Sequence, residues 1–142
     1  MTQNEKELLL KDTCARISYG VKAYVNNYWC EKHEVKTVTG VDLDESDFLI
    51  ASIPGGRNSF SDMKTYLFPL SSMTEEQYEE FIIVSGWDGD IEDVRRGKFL
   101  CLGTIGIDYI YDTIDWLNKN HFDYRGLIEM ELALDATGLN IY

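Results

Sequence analysis

The apolar pattern of this chain changes period at Pro69. Before it, apolar residues alternate: Val21, Ala23 and Val25 share one face, with Lys22 and Tyr24 on the other. Alternation of this kind marks a half-buried strand, because successive side chains point to opposite faces. Asn26-Asn27 then signals a turn, since Asn tolerates positive φ. Residues 35–39 and 48–53 read as two further strands, separated by an acidic turn at 42–47 and followed by Pro54-Gly55-Gly56, which cannot continue a strand. A last extended piece, 65–68, stops at Pro69. Short strands this close in sequence predict a small, strongly bent antiparallel sheet, with a barrel-like closure as its tightest form.

After Pro69 the spacing becomes helical. Thr74 and Gln77 form a capping box, Met73 can staple onto Tyr78, and Glu75 and Glu76 lie where the helix dipole favours negative charge. That helix is predicted to reach about Val84, with Tyr78, Phe81 and Ile82 inward. Residues 85–98 read as an irregular surface loop, and 107–118 as a second helix burying Ile107, Ile110, Ile114 and Leu117. A short helical turn after Asp123 and an apolar ending, Leu139, Ile141 and Tyr142, predict a tail docked on the body. Ahead of the strands, Thr2 and Glu5 form a further capping box, and Leu10, Cys14 and Ile17 predict one apolar face on a helix over 2–17. The expected fold class is α+β: an N-terminal helix, the bent sheet over about 20–68, then two helices and the tail within 74–142. At 142 residues, 44% apolar and 27% charged, a single domain spanning 1–142 is expected.

Thirteen basic residues stand against 25 acidic ones, a net charge of −12. That balance excludes a protein gripping DNA or RNA across a broad face, which requires Lys and Arg to replace counterions. It argues equally against docking on anionic membrane, and no apolar run reaches the ~18 residues of a spanning helix. The opening lacks the basic start and long apolar run of a secretory signal. Cys14, Cys30 and Cys101 are odd in number and sparse, which predicts reduced thiols in a cytoplasm, at least two of them in the core. The charge is uneven. Residues 1–70 hold eight basic and ten acidic residues, whereas 71–142 hold five and fifteen, so the helical half is the acidic half.

No constellation in the sequence points to catalysis, a metal or a cofactor. Cys30 and His33 supply only half of a zinc spacing. The acidic run from Asp88 fails as a calcium loop, with Asp93 and Phe99 where Gly and Glu belong. Gly97-Lys98 lacks the first glycine of a P-loop, and Gly103-Thr104-Ile105-Gly106 is too short for a dinucleotide fingerprint. His121, two residues from Asp123, is the least implausible general base, without a nucleophile signature beside it. The ligand-binding candidates are therefore basic. Arg57 follows a glycine loop able to bend round an anion, and Arg95, Arg96 and Lys98 cluster near Trp87, the forks and indole that a phosphate-and-base ligand uses. Acidic neighbours from Asp88 to Asp93 also allow simple local pairing in that loop.

Longer strings carry a resemblance. The stretch from Tyr66 through Pro69-Leu70-Ser71-Ser72-Met73-Thr74-Glu75-Glu76-Gln77, the stretch Ile114-Asp115-Trp116-Leu117-Asn118-Lys119-Asn120-His121-Phe122-Asp123-Tyr124-Arg125-Gly126-Leu127-Ile128, the ending Asp135-Ala136-Thr137-Gly138-Leu139-Asn140-Ile141-Tyr142 and the opening Leu8-Leu9-Leu10-Lys11-Asp12 resemble a group of small uncharacterised proteins carried by phages and prophage-like elements of gut Bacteroidales. The resemblance implies a phage-related setting and the host cytoplasm, and it transfers no functional residue. It also implies Gly at position 131, where this chain has Glu131. The functional expectation is a non-catalytic accessory protein that counters host defence, by binding a host protein or by sequestering a nucleotide-type small molecule. A small enzyme acting on a nucleotide or a modification, or a virion assembly protein, is the alternative. Edge strands add the expectation of a homo-oligomer.

Overall fold

The computed structural model describes residues 1–27, 32–43, 49–100 and 105–142. Cys30, Cys101, Gly103, Thr104, Phe48 and the acidic residues at 44–47 lie outside the described residues, and with them the Cys30–His33 spacing. The fold is α+β, and the chain divides into two compact units, one of residues 1–67 with 127–142, the other of residues 68–126.

Unit one opens with α1 (Gln3–Arg16), started by the Thr2–Glu5 capping box and stopped by Gly20 at φ +70. β1 (Lys22–Asn27) pairs antiparallel with β2 (Lys32–Thr37), in the register Val25↔Glu34, and with β6 (Met63–Pro69), in the register Ala23↔Thr65. A second sheet comprises β3 (Gly40–Leu43), β4 (Leu49–Ile53) and β5 (Gly56–Ser59), antiparallel in chain order. Pro54-Gly55 makes the two-residue turn of the last hairpin, where Gly55 at φ +96 occupies the position that a type II turn reserves for glycine. The alternating residues Val21, Ala23 and Val25 are all buried, with Leu9, Val38, Ala51, Met63 and Leu67 in the same core.

Several expectations for this unit are corrected. Among the described residues both sheets are open rather than barrel-like, because β2 pairs with β1 alone, and β3 and β5 each pair with β4 alone. The strands expected within 20–68 do pair antiparallel, and what the expectation lacked is β8 (Ala133–Asp135) of the tail, which joins β6 in parallel through Thr65↔Ala133. The acidic turn starts later than 42, as Asp42 pairs with Ile50 in the β3–β4 ladder. On α1 the buried residues are Leu9, Asp12, Thr13 and Arg16, while Cys14 is exposed and Leu10 and Ile17 are half-buried. The reason is a bidentate pair. Arg16 Nε and Nη2 donate to the two Asp12 carboxylate oxygens at 2.9 Å each, and both side chains are inaccessible. Charges matched this closely enter a core that a count of apolar residues assigns to Leu10 and Cys14.

The tail docks through its last residue. The Tyr142 hydroxyl donates to the Tyr66 carbonyl at 2.6 Å and accepts from the Lys22 amide at 3.0 Å. Residues 127–131 form a turn rather than the expected helical turn, closed by the Leu132 amide donating to the Leu127 carbonyl at 2.9 Å. The tight turn that Gly would make at 131 is present with glutamate in it: Glu131 sits at φ +59.

Unit two contains α2 (Glu75–Ser85), with the Thr74–Gln77 capping box and Gly86 in the left-handed conformation at its end. The segment expected as irregular holds α3 (Ile91–Arg95), capped by the Asp90 carboxylate accepting from the Asp93 amide. α4 (Ile110–Lys119) follows a 3-10 turn at Ile107–Tyr109, and β7 (Phe122–Asp123) pairs in parallel with the end of β6 through Phe68↔Phe122. The core is aromatic. Phe81 meets Phe99 and Trp116 edge-on at 5.1 and 5.7 Å, and Trp116 stacks on Phe122 at 5.7 Å.

The inward face of α4 also differs from expectation. Thr113, Trp116, Leu117 and Asn118 are buried, Ile114 is half-buried, and Ile107 and Ile110 are 81% and 44% exposed. The Thr113 hydroxyl is satisfied by the Tyr109 carbonyl at 2.7 Å, and Trp116 donates its indole N–H to Glu80 at 3.2 Å. Stacking of Trp116 sets the helix about a quarter turn from the aliphatic count.

Candidate functional site

Three places in the described residues carry candidate chemistry, and the sequence-derived candidates divide between the two units.

In unit one, Arg57 lines a groove of about 400 Å³ together with Val25, Asn26, Glu34, Lys36 and the 53–59 hairpin. Pairing Val25↔Glu34 and Ala23↔Lys36 sets both charged side chains beside the buried face of β1. Lys36 reaches Glu34 at 2.7 Å and Arg57 reaches Asp42 at 3.1 Å, with all four side chains about a third or more exposed. Such pairs are worth little in water, so an incoming anion can compete for either cation. Carboxylates of Glu34 and Asp62 on the same walls disfavour a ligand of high negative charge.

In unit two, Trp87, Arg95, Arg96 and Lys98 come together around α3, but most of their polar groups are committed. Arg95 Nε and Nη2 donate to the Met73 carbonyl at 3.0 and 2.7 Å, and Nη1 pairs with Glu92 at 2.6 Å. That arrangement ties α3 to the start of α2. Lys98 pairs with Asp93 at 2.7 Å. The Trp87 ring lies so close to Gly89 that a Cβ there would sit 2.5 Å from it, which requires glycine at that position. The Tyr78 hydroxyl donates to the Gly89 carbonyl at 2.6 Å, and desolvation, reinforced by the charges of Asp90, Glu75 and Asp93, pushes that phenol above its usual pKa. Arg96 is exposed.

His121 and Asp123 are 5% and 8% exposed. His121 stands at φ +57 where α4 ends, its amide donating to the Asn118 carbonyl and its carbonyl accepting from Phe68 at 2.9 Å. The geometry is that of a joint between α4 and β6. Among the described residues, no three His, Cys, Asp or Glu side chains gather as metal ligands, and no helix is long and apolar enough to cross a membrane.

A fourth place escaped the sequence reading. α4 and its leading turn expose Ile107 (81%), Tyr111 (83%), Tyr109 (47%) and Ile110 (44%). Ile110, Tyr111, Ile114, Asp115 and Asn118 line a shallow groove of about 440 Å³ there. Exposed carboxylates of Asp108, Asp112 and Asp115 accompany it. The available signal was a surplus: residues 107, 109, 110, 111, 114, 116 and 117 are all apolar or aromatic, more than one buried face accommodates.

Comparison with family models, with curated proteins and with solved structures finds no match for this chain.

Proposed function

We propose that this chain is a non-catalytic binding protein of phage-related origin that acts in a bacterial host by occupying a basic host protein. The observation carrying the reading is the exposed apolar surface of α4, set in the more acidic part of the chain. Isolated exposed apolar residues are ordinary, but four large ones on twelve consecutive residues form a patch, and patches of this kind mark interaction surfaces. The surrounding carboxylates select a partner of opposite charge and speed its approach. Buried His121 and Asp123 give no support to a catalytic reading, and Arg95, held by Met73 and Glu92, gives none to a ligand site at α3.

The test is capture of host proteins on the immobilised chain, followed by an activity assay of whatever is retained. The reading expects a basic protein whose inhibition fades as salt rises toward about 1 M, where the Debye length shrinks to about 3 Å. Retention that is indifferent to salt, or retention of an acidic protein, overturns it.

The groove beside Arg57 and Lys36 favours a second reading, sequestration of a small, singly charged molecule of nucleotide type. Native mass spectrometry of gently purified protein decides it. An added mass of a few hundred daltons that Arg57→Ala removes supports sequestration, and a bare chain mass eliminates it.

A further inference from the structure

We infer that the occupant of the α4 surface is an amphipathic helix whose basic residues lie along one edge only. The inference rests on the protein-binding reading above and names the partner's shape. At about 100° per residue, Ile110, Tyr111 and Ile114 form one stripe along α4 that ends at the buried Asn118, and Ile107 continues it into the leading turn. These positions recur once per turn, about every 5.4 Å, the spacing at which the side chains of a second helix interdigitate. An extended strand presents same-face residues about every 6.8 Å and falls out of step within two contacts.

The flanks of the stripe are unequal. Asp115 lies about 90° round from its centre and Asp112 about 150°, both on the same side. The opposite side leads to the buried residues Thr113 and Leu117. A helix seated on the stripe therefore meets the Asp115 carboxylate along one edge and the body of the unit along the other. Complementarity calls for Lys or Arg on the first edge and aliphatic residues at three- and four-residue spacing on the seated face. From Ile107 to Ile114 the stripe spans about 11 Å, enough for two turns of the partner. A second copy of this chain is the poorer occupant. In an antiparallel two-fold pairing the like flanks of both α4 helices meet, which sets Asp115 against its own duplicate.

The experiment uses the full chain and three probes: a fluorescein-labelled 18-residue helical peptide with a Leu stripe and Lys along one edge, the same peptide with Glu replacing Lys, and poly-L-lysine. Anisotropy is expected to show saturable binding of the Lys peptide and at least roughly tenfold weaker binding of the Glu peptide. Tyr111→Ser, at a side chain too exposed to matter for folding, is expected to weaken the Lys peptide roughly tenfold and leave poly-L-lysine unchanged. Asp115→Asn is expected to lower the salt dependence of peptide binding. If the Lys peptide binds and Tyr111→Ser has no effect, the seat is elsewhere and this inference fails while the protein-binding reading stands. If neither cationic probe binds, both fail. A dimer in sedimentation that Tyr111→Ser dissolves assigns the face to a second copy and overturns the inference.

Discussion

The two units solve the same problem with different chemistry. Unit one packs aliphatic strand residues and admits one fully buried ion pair, Arg16 with Asp12. Unit two packs rings: Phe81, Phe99, Trp116 and Phe122 lie in contact, and Glu80 reaches them through the Trp116 N–H. The difference bears on where each unit keeps its apolar residues. The aliphatic unit buries Val21, Ala23 and Val25, and among the described residues none of its large apolar side chains is more than 55% exposed. The ring-packed unit fills its centre with a few large side chains and leaves Ile83, Ile107 and Tyr111 outside at 78%, 81% and 83% exposure.

The sharpest way to break the comparison is to remove one half of the ion pair. Arg16→Met leaves Asp12 buried beside an apolar side chain, and chemical denaturation is expected to show a loss of about 3–5 kcal/mol. Adding Asp12→Leu is expected to restore most of it, because the cost lies in the uncompensated charge rather than in the absence of attraction. A single substitution costing under about 1 kcal/mol would mean that Asp12 finds water or another donor.

The corresponding change in unit two is smaller. Phe81→Leu keeps an apolar side chain but removes two edge-to-face contacts, each worth about 0.5–1.5 kcal/mol beyond the area buried, so a loss of about 2 kcal/mol is expected. Trp116 fluorescence is the direct readout, since its ring centroid lies 5.7 Å from that of Phe81. An unchanged emission spectrum together with unchanged stability would show that ring geometry contributes nothing to this core.

The same contrast explains what was legible in the sequence. Where burial followed periodicity, as in Val21, Ala23 and Val25, the strand and its face were both readable. Capping boxes at Thr2 and Thr74 placed two helix starts to the residue, because a cap is a local hydrogen-bond pattern that tertiary packing does not alter. The faces of α1 and α4 were not readable. Buried Arg16 and Asp12 count as polar, and Trp116 outweighs Ile107 and Ile110 through stacking that only the folded chain defines. β8 was invisible for a related reason: three residues carry no period, and their parallel register with β6 is set across some seventy positions of sequence. For the candidate site, the chain around Arg57 was readable as a turn, but the groove was not, since Glu34 and Lys36 reach it from another strand.

A third prediction strengthens unit one instead of breaking it. Glu131 adopts a left-handed backbone that costs a side-chain-bearing residue about 1–2 kcal/mol. Glu131→Gly is expected to stabilise the protein by about 1 kcal/mol, after the greater entropy of an unfolded glycine is offset. Thermal unfolding checks it. A decrease in midpoint would mean that the Glu131 side chain stabilises the turn by more than its backbone costs.

The smallest effect separates the units by pH. The Tyr142 hydroxyl is held between the Tyr66 carbonyl and the Lys22 amide, and burial pushes its pKa up to about 12. The hydrogen bond from Lys22 and the Arg16 charge favour the ionised form, but desolvation outweighs them. A folded-state pKa above the unfolded value of about 10 means that the unfolded chain loses this proton first as pH rises. The contribution of the hydroxyl is therefore intact below about pH 10 and declines toward about pH 12, where the folded form also ionises. Tyr142→Phe removes this titration together with the two hydrogen bonds. The variant is expected to be less stable near neutral pH, yet to lose less stability than the parent between about pH 10 and 12. Equal slopes for the two proteins across that interval would show that the C-terminal ring is not anchored by its hydroxyl, and that unit one holds its tail by apolar contact alone.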